Sequence, residues 1–364
     1  TGEAGWLGLA LGWIAQIWAA NLLSLALPAP LAFWLGTWGQ THSISAQAQS
    51  QSSANGTSPI QQLSQVGGAS IAVTFETTVE GYGYLYLGIG TRLYIFYVDL
   101  TGPVPIRTFK GISNPLPGII RNISMVGNMA YLTLGEHGLA VIDTGTAKTA
   151  PVIVGTYDTP GFANGLWMSA GKAYVADGEN GVLILDVSTP SAIAQVGSYN
   201  TEGNARGLIR IMVDDPELGS QLYVYVADGN NGLVSLKLDA VTNTLTYFNR
   251  IAITGFVEDV FKSIKIDNFL FLASGTAGLR VVKIQDPENL ISGGYCDTPG
   301  YASNVMYYGG YVYVADGLGG VQVVNWDANA VPPSPIAASY NTTGLASRMA
   351  WAEGYVMLAD YSAL

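Results

Sequence analysis

Cysteine and histidine, which build many catalytic and metal sites, are scarce in this chain of 364 residues. It has one cysteine, Cys296, and two histidines, His42 and His137. A single cysteine excludes an internal disulfide framework and a cysteine-rich metal site. With only two histidines, a zinc site or a histidine-dependent catalytic triad is hard to assemble. The sequence therefore predicts neither a metal nor another cofactor.

Positive charge is scarce as well. The chain has 15 lysine and arginine residues against 26 aspartate and glutamate residues, and its formal net charge is −11. Nucleic-acid phosphates are bound by clustered lysine and arginine, so this balance argues against a nucleic-acid partner. The 45 glycines and 21 tyrosines instead suit many short strands that are joined by tight turns.

Charge of either sign is missing from the run Gly5 to Leu27. As a helix this run would measure roughly 35 Å, which is enough to cross a bilayer core, and Pro28 would end it. The run predicts an N-terminal transmembrane helix, with the membrane as a partner through residues 5–27. The alternative is a secretory signal peptide with Ala46-Gln47-Ala48 as its cleavage site, although the run is longer than such signals usually have.

The composition changes twice after this run. Residues 43–58 are rich in serine and glutamine and lack aromatic side chains, which is typical of a flexible linker. Strand-forming residues dominate from residue 59 onwards. The sequence therefore predicts a membrane anchor over residues 1–42, a linker over 43–58 and one globular domain over 59–364.

One phrase is repeated within that domain. "YVADGENGVLILD" begins at Tyr174, and near-copies begin at Tyr84, Tyr131, Tyr225, Phe271, Tyr313 and Val356. Successive starts from Tyr84 to Tyr313 differ by 47, 43, 51, 46 and 42 residues. Each phrase reads as a hairpin, with a glycine-led strand before it and a short strand after it. Such units are the signature of β-propeller blades. The predicted fold is all-β: a seven-bladed β-propeller of four-stranded blades, preceded by one N-terminal transmembrane helix.

The repeated text resembles the LVIVD repeat. The resemblance rests on "GLAVID" at Gly138, "GVLILD" at Gly181, the "YVADG" hairpins and the "YDTPGFA" linkers, and it covers about Pro59 to Leu364. It implies a β-propeller of a kind common on bacterial and archaeal surface proteins, with no shared catalytic activity. The copies at Tyr84 and Phe271 depart from the pattern because they lack the aspartate of "ADG".

The two ends of the domain are expected to meet in one blade. Thr57–Gly68 resembles Ser188–Tyr199, the outer strand of a blade, so it should pair beside the last blade and remove an exposed sheet edge. The last copy supplies two strands, at Gly344 and Val356, and its third strand should begin about where the sequence stops. We expect the last blade to be incomplete in this sequence.

The aspartates of the hairpins, such as Asp177 and Asp316, allow two interpretations. Carboxylates at repeated positions can bind calcium. An Asp-Gly pair can equally shape a tight turn in which the aspartate bonds its own backbone. Each turn offers one carboxylate whereas calcium needs several oxygen ligands, so we favour the turn and predict no metal there.

Polar residues occupy the fourth and fifth positions of the glycine-led strands. The first strand of a propeller blade lines the central channel, so these residues should gather near one mouth, where ligands commonly bind. The candidate ligand-binding residues are Arg121, Asn164, Arg206, Glu258, Asp259, Ser303 and Arg348. A buried arginine normally pairs with a carboxylate. We therefore expect Arg206 to contact Glu258 or Asp259, and Asn164 and Ser303 to bond water.

These features favour a non-enzymatic, membrane-anchored propeller on the extracytoplasmic side, acting as a protein-binding or scaffolding subunit of a membrane complex. Its expected partners are other protein subunits. Two alternatives remain open. One is a surface-layer or adhesion protein. The other is an enzyme, a lyase or hydrolase, which would need groups such as Glu258 and Asp259 to converge with Arg121 or Arg206 around a real pocket.

Overall fold

The protein is described by a computed structural model. It describes residues 70–361 except 103, 216–218, 264–267 and 330, together with the backbone of four earlier strands. These strands are β1 (Asn21–Leu23), β2 (Ala26–Leu27), β3 (Leu31–Trp38) and β4 (Gln62–Gly68). The predicted linker, most of the predicted anchor and the end of the last copy lie outside the described residues, so the domain boundaries remain predictions.

Six antiparallel four-stranded sheets follow one another along the chain, and we call them blades 1 to 6. Blade 1 contains β5 (Ser70–Val79), β6 (Tyr82–Ile89), β7 (Arg92–Asp99) and β8 (Ile106–Ile112). Blade 2 contains β9 (Asn122–Val126), β10 (Met129–Thr133), β11 (Leu139–Asp143) and β12 (Val152–Tyr157). Blade 3 contains β13 (Leu166–Ser169), β14 (Lys172–Ala176), β15 (Val182–Asp186) and β16 (Ala194–Tyr199), with a 3-10 turn at Pro190–Ala192.

The next three blades have the same order of strands. Blade 4 contains β17 (Gly207–Asp215), β18 (Gly219–Ala227), β19 (Leu233–Asp239) and β20 (Thr244–Ile251). Blade 5 contains β21 (Asp259–Phe261), β22 (Phe269–Ala273), β23 (Leu279–Lys283) and β24 (Ile291–Cys296). Blade 6 contains β25 (Asn304–Tyr308), β26 (Tyr311–Ala315), β27 (Val321–Val324) and β28 (Ile336–Tyr340). Each repeat of the sequence therefore folds as one blade.

The remaining sheet differs, and the prediction of seven four-stranded blades is wrong. In this closing sheet, β29 (Leu345–Ala352) and β30 (Tyr355–Tyr361) form a hairpin, and β30 pairs in parallel with β3. With β1, β2 and β4 the sheet has six strands. The last copy contributes only a hairpin, so its other strands come from the start of the chain. Of the segment 57–68, the described residues Gln62–Gly68 lie in this sheet as predicted, although the direct partner of β4 is β3.

The predicted transmembrane helix over Gly5–Leu27 is also wrong. Where that segment is described it is strand, in β1 and β2. Among the described residues no helix is long and apolar enough to cross a membrane. The physical reason is that an uncharged apolar run suits a sheet strand as well as a helix, and periodicity cannot separate the two. The aromatic and aliphatic text continues into β3, which pairs beside β30.

The innermost strands form a closed ring. Each of β5, β9, β13, β17, β21, β25 and β29 contacts the next, and β29 contacts β5. The hydrophobic core lies between adjacent sheets: Tyr225 of blade 4 packs with Leu272 of blade 5, and Leu85 of blade 1 packs with Met357 of the closing sheet. The middle strands are covered on both faces, which explains why their residues are nearly all apolar.

Adjacent blades are also joined through the backbone. In five places the glycine of one hairpin pairs with the third residue of the next glycine-led segment, as Gly178 does with Ala205. The Ala205 amide donates to the Gly178 carbonyl over 2.9 Å, and the Gly178 amide donates back over 3.1 Å. This pairing fixes where each innermost strand begins. It brings the following residue, the fourth of the segment, next to its counterparts in the neighbouring blades.

Candidate functional site at the channel mouth

We define the channel mouth as the end of the central channel at which the innermost strands begin. On one side of the mouth the fourth residues form a continuous hydrogen-bonded arc. Arg206 donates from Nε to Glu258 Oε2 over 2.8 Å and from Nη1 to Asn164 Oδ1 over 3.1 Å. Tyr301 donates to Glu258 Oε1 over 2.6 Å. The arc thus crosses blades 3 to 6, and the predicted contact of Arg206 with Glu258 is confirmed.

Asn164 and Ser303, which the sequence predicts to bond water, have backbone carbonyls as partners. Asn164 donates from Nδ2 to the carbonyls of Phe162 and Ala205, over 2.9 and 3.1 Å. The Ser303 hydroxyl lies 3.0–3.2 Å from three backbone carbonyls, two of which belong to the closing sheet. The strands converge at the mouth, so carbonyls of the next blade come within reach of short polar side chains.

The other side of the mouth carries two arginines with no such partners. Arg121 of blade 2 stacks on the Phe162 ring, with Cζ 5.0 Å from the ring centroid. Its Nε is buried and has no hydrogen-bond partner among the described residues. Burial lowers the pKa of Arg121, and the positive charges of Arg206 and Arg348 lower this pKa further. Arg206 and Arg348 therefore each lie close enough to Arg121 to repel it.

Asp259 lies one residue deeper than Glu258. Its carboxylate accepts from Asn304 Nδ2 over 2.6 Å and from the Val305 amide over 3.4 Å. Burial raises the pKa of Asp259, and the positive charge of Arg348 opposes that rise. Asn304 is held in turn by the Met349 amide, which donates to its Oδ1 over 2.8 Å. This carboxyl group therefore links blades 5 and 6 and, through Asn304, the closing sheet.

A cavity of about 380 Å³ occupies the channel behind the mouth. Asp259, Asn304 and Arg348 line it near the mouth, and residues later in the innermost strands, such as Trp167 and Trp351, line it farther along. Of the seven predicted site residues, only Asp259 and Arg348 line this cavity. The other predicted residues contact one another at the mouth or lie beside it, so the structure separates the predicted set into a rim and a channel wall.

Sequence reasoning missed a second ring of residues, which we call the collar. It consists of the residue that follows the leading glycine of each segment: Ile119, Phe162, Phe256, Tyr301 and Leu345, with Asn204 in blade 4. Ile119, Tyr301 and Leu345 are 40–46% exposed. Hairpin glycines of the preceding blades lie against the rings of Phe162, Phe256 and Tyr301. The repeated segments themselves indicate the collar, because the residue after the leading glycine is apolar in all but one of them.

The hairpin aspartates do not simply bond their own turns, as the sequence suggested. Asp177 accepts from the Thr159 hydroxyl over 2.6 Å and from the Gly161 amide over 2.8 Å. Asp316 and Asp360 make the equivalent contacts with the "T-x-G" linkers of blade 6 and of the closing sheet. We call this arrangement the latch. It holds the linker that carries the collar and rim residues.

Asp228 of blade 4 also belongs to the latch, because it accepts from the Thr201 hydroxyl over 2.6 Å. Burial raises the pKa of the latch aspartates Asp177, Asp228, Asp316 and Asp360, and their threonine or glycine contacts oppose the rise. Their oxygens face the linker instead of converging on a common point. No group of three or more potential metal ligands occurs in the described part of the chain. The latch therefore explains the repeated aspartates without an ion.

Radial antiparallel sheets around a central channel define this protein as a β-propeller. The chain contains LVIVD repeats: the family model for the LVIVD repeat matches residues 117–159, 160–201, 220–236 and 299–325. The matches fall in blades 2, 3, 4 and 6, where the glycine-led segments and hairpins described above recur. The resemblance noted in the sequence is thereby confirmed.

Solved structures share the fold at low identity. A predicted 6-phosphogluconolactonase from Bacteroides fragilis has a TM-score of 0.62 and 11% identity, over 88% of this chain and 95% of that one. Sqt1 of Saccharomyces cerevisiae has a TM-score of 0.55 and 9% identity, over 80% of both chains. The computationally designed Ika8 protein has a TM-score of 0.52 and 10% identity, over 81% and 94%. No curated protein matches the sequence.

Proposed function

We propose that this propeller is a non-enzymatic protein-binding module that docks a partner on the channel mouth and collar. The collar is the observation that supports the proposal. It places apolar and aromatic side chains in a ring around three arginines, and aromatic residues with arginine are the residue types enriched at the energetic centres of protein interfaces. Single exposed apolar residues are ordinary on protein surfaces, but a ring of them around one opening is not.

The collar is also held rigidly, which favours binding. Buried latch aspartates fix the linkers that carry Phe162, Tyr301 and Leu345, and ring contacts with hairpin glycines hold Phe162, Phe256 and Tyr301. Leu318, in the hairpin turn of blade 6, adds a further side chain that is 76% exposed. A surface that is already ordered loses little conformational entropy when a partner binds.

The non-enzymatic part of the proposal rests on how the carboxyl groups at the mouth are used. Both oxygens of Glu258 accept hydrogen bonds, from Arg206 and from Tyr301. Asp259 is held by Asn304 and by a backbone amide. Groups tied into contacts between blades serve poorly as a mobile acid and base. A lyase or hydrolase at this mouth is therefore the weaker alternative.

The proposal also includes a place in a larger complex outside the cytoplasm. Its support is what the LVIVD resemblance implies, because such propellers are common on surface proteins. A membrane-spanning helix over residues 5–27 forms no part of it. If the partner is a second copy of the chain, the surface-layer alternative becomes the better description, and sedimentation of the purified protein at rising concentration distinguishes the two.

The test is a comparison of collar variants in the native cell. Tagged wild-type protein, the collar variant Tyr301→Ser/Leu345→Ser and the control Val241→Ser are purified after mild crosslinking, and bound proteins are identified and then titrated as pure components. Val241 is 92% exposed in a turn of blade 4, away from the mouth. We expect a stoichiometric partner that binds wild type and control and is lost from the collar variant. Equal binding to all three proteins contradicts the docking site.

A further inference from the structure

We propose that Arg121 and Arg348 form a carboxylate-binding site on the side of the mouth that the hydrogen-bonded arc does not reach. The site itself stands on the charges and contacts at the mouth. Only the source of its ligand rests on the proposed function, since we expect the carboxylate to belong to an aspartate or glutamate side chain of the docked partner. A free small carboxylate has the same chemistry and is the other source that the experiment must separate.

The charged side chain of Arg121 has neither a hydrogen-bond partner nor an ion pair among the described residues. Its Nε is buried and makes no hydrogen bond among the described residues, while Cζ of its guanidinium lies over the Phe162 ring, 5.0 Å from the centroid. Leaving a buried donor unpaired costs free energy, more so when the group is charged. Arg121 therefore carries side-chain donors for which the described residues supply no acceptor.

The fold does not need an arginine at the fourth position of the glycine-led segment. The same repeat position holds Asn164 in blade 3, Ser303 in blade 6 and Ser347 in the closing sheet. Asn164 and Ser303 bond carbonyls of the following sheet, and Ser347 bonds the carbonyl of Ala359. These short neutral side chains join strands at no electrostatic cost. Arg121, whose side chain has no hydrogen-bond partner among the described residues, breaks this pattern. Residues that break a local structural pattern concentrate at functional sites.

Positive charge is in excess around the channel mouth. The chain as a whole carries a formal net charge of −11, yet the mouth gathers three arginines. Glu258 neutralises Arg206 through their ion pair of 2.8 Å. Arg121 and Arg348 form no ion pair among the described residues, and Arg348 has only the more distant charge of Asp259. A local positive site in an otherwise acidic chain attracts an anion.

The shape and charge of the two arginines indicate which anion fits the site. A guanidinium offers parallel N–H groups in a plane, and a planar carboxylate accepts two of them at once. Asp259 places part of a negative charge near Arg348, which disfavours a dianion such as phosphate or sulfate. The collar surrounds the opening with apolar side chains, so an acidic residue flanked by apolar residues would fill rim and collar together. The site therefore selects a carboxylate presented on an apolar surface.

The experiment follows the arginine side-chain N–H resonances of the full chain by nuclear magnetic resonance. The probes are acetate, succinate, sulfate and two capped peptides, Leu-Phe-Glu-Leu and Leu-Phe-Gln-Leu. The variants are Arg121→Gln and Arg348→Gln. Lys110→Gln on the outer strand β8 removes the same charge far from the mouth and is the control. Thermal unfolding of each variant confirms that it is folded before it is titrated.

We expect saturable shifts of the Arg121 and Arg348 resonances with carboxylates, with the glutamate peptide bound at least about tenfold more tightly than the glutamine peptide, the loss of one charged hydrogen-bonded pair. Each arginine variant should weaken carboxylate binding about tenfold, and Lys110→Gln should leave it unchanged. Sulfate binding as tight as succinate binding, an equal loss in the control, or no shift with any carboxylate overturns the site.

The two proposals can fail separately. If succinate binds but the glutamate peptide binds no better, the carboxylate site stands and its source is a free small molecule. If Tyr301→Ser/Leu345→Ser weakens the peptide but not succinate, both the site and the collar docking are supported. If no carboxylate binds while a partner is still lost from the collar variant, the carboxylate site is overturned and the proposed docking surface is retained.

Discussion

Blades 2 and 3 are neighbours that use the same repeat positions in opposite ways. In blade 3 the latch is the polar pair Thr159 and Asp177, whereas the equivalent positions of blade 2 hold Leu116 and Leu134, both buried in one apolar cluster. At the mouth, Asn164 of blade 3 is bonded to backbone, whereas Arg121 of blade 2 is not. Both blades keep the glycine that lies against the latch carbonyl.

The comparison of blades 2 and 3 shows which feature of the latch is common to both. A hydrogen-bonded polar pair and a leucine pair are alternative solutions for one buried contact, because neither pair leaves a polar side-chain group unpaired. The backbone approach of the glycine is common to both. Blade 5 is a mixed case, with Ile253 and Ser274 at these positions, and the Ser274 hydroxyl has no hydrogen-bond partner among the described residues.

The largest expected effect comes from breaking one half of the polar latch. Asp177→Leu leaves the Thr159 hydroxyl and the Gly161 amide buried without an acceptor, and we expect the free energy of unfolding to fall by about 2–5 kcal/mol. Urea unfolding of the full chain measures it. Glu179→Leu changes an exposed carboxylate in the same hairpin and should alter stability by less than about 0.5 kcal/mol. A loss below about 1 kcal/mol for Asp177→Leu contradicts the latch.

The next effect converts blade 3 to the blade 2 solution. In Thr159→Leu/Asp177→Leu the unpaired hydroxyl is gone, so the double variant should recover about 1–3 kcal/mol relative to the sum of the single losses. The double-mutant cycle in urea gives this coupling directly. Additive losses would mean that the two side chains act independently and that the leucine pair of blade 2 is not an equivalent solution.

Proton binding separates the two kinds of latch, since leucine cannot titrate. Burial raises the pKa of Asp360 to about 6, above its ordinary value near 3.9. The folded state then holds the proton more tightly than the unfolded chain, so this group's contribution to stability falls as pH rises from about 4 to 6. Relative to wild type, Asp360→Asn should therefore gain about 1–3 kcal/mol across that window. Parallel stability curves for the two proteins would show that Asp360 titrates normally.

The smallest effects compare the two sides of the mouth. Arg206→Ala breaks the arc and leaves Glu258 with Tyr301 alone, so we expect a loss of about 1–2 kcal/mol in the free energy of unfolding. Arg121→Ala loses a ring contact but relieves repulsion from the other arginines, so its change should stay within about 0.5 kcal/mol. Equal losses in the two variants would erase the distinction between a structural arginine and a binding one.

Much of this architecture follows from repetition in the sequence. The spacing of the "YVADG" phrases predicts the blades, and the resemblance of Thr57–Gly68 to an outer strand predicts that it joins the last sheet. The charges of Arg206 and Glu258 predict their pairing, because few partners exist for a buried charge near the channel. These predictions succeed where a pattern recurs or where a cost leaves a single solution.

The errors have physical causes. The apolar text before β3 has no periodic polar residues, so nothing in it distinguishes a membrane helix from strand. The latch joins Asp177 to a linker that precedes it by 16 residues or more, and only packing reveals that the turn and the linker meet. The collar was overlooked because its side chains are apolar, and apolar residues in a strand pattern are first assigned to the core.

The latch has a consequence for how such proteins diversify. In blades 3 and 6 and in the closing sheet it secures the linker through the threonine, the glycine and the buried aspartate, so the collar side chain that follows the glycine is not itself needed to hold the linker. Where a duplicated repeat keeps these residues, single substitutions at the second position of its glycine-led segment can change the mouth one blade at a time. A ring built in this way can acquire a new partner without passing through an unfolded ancestor.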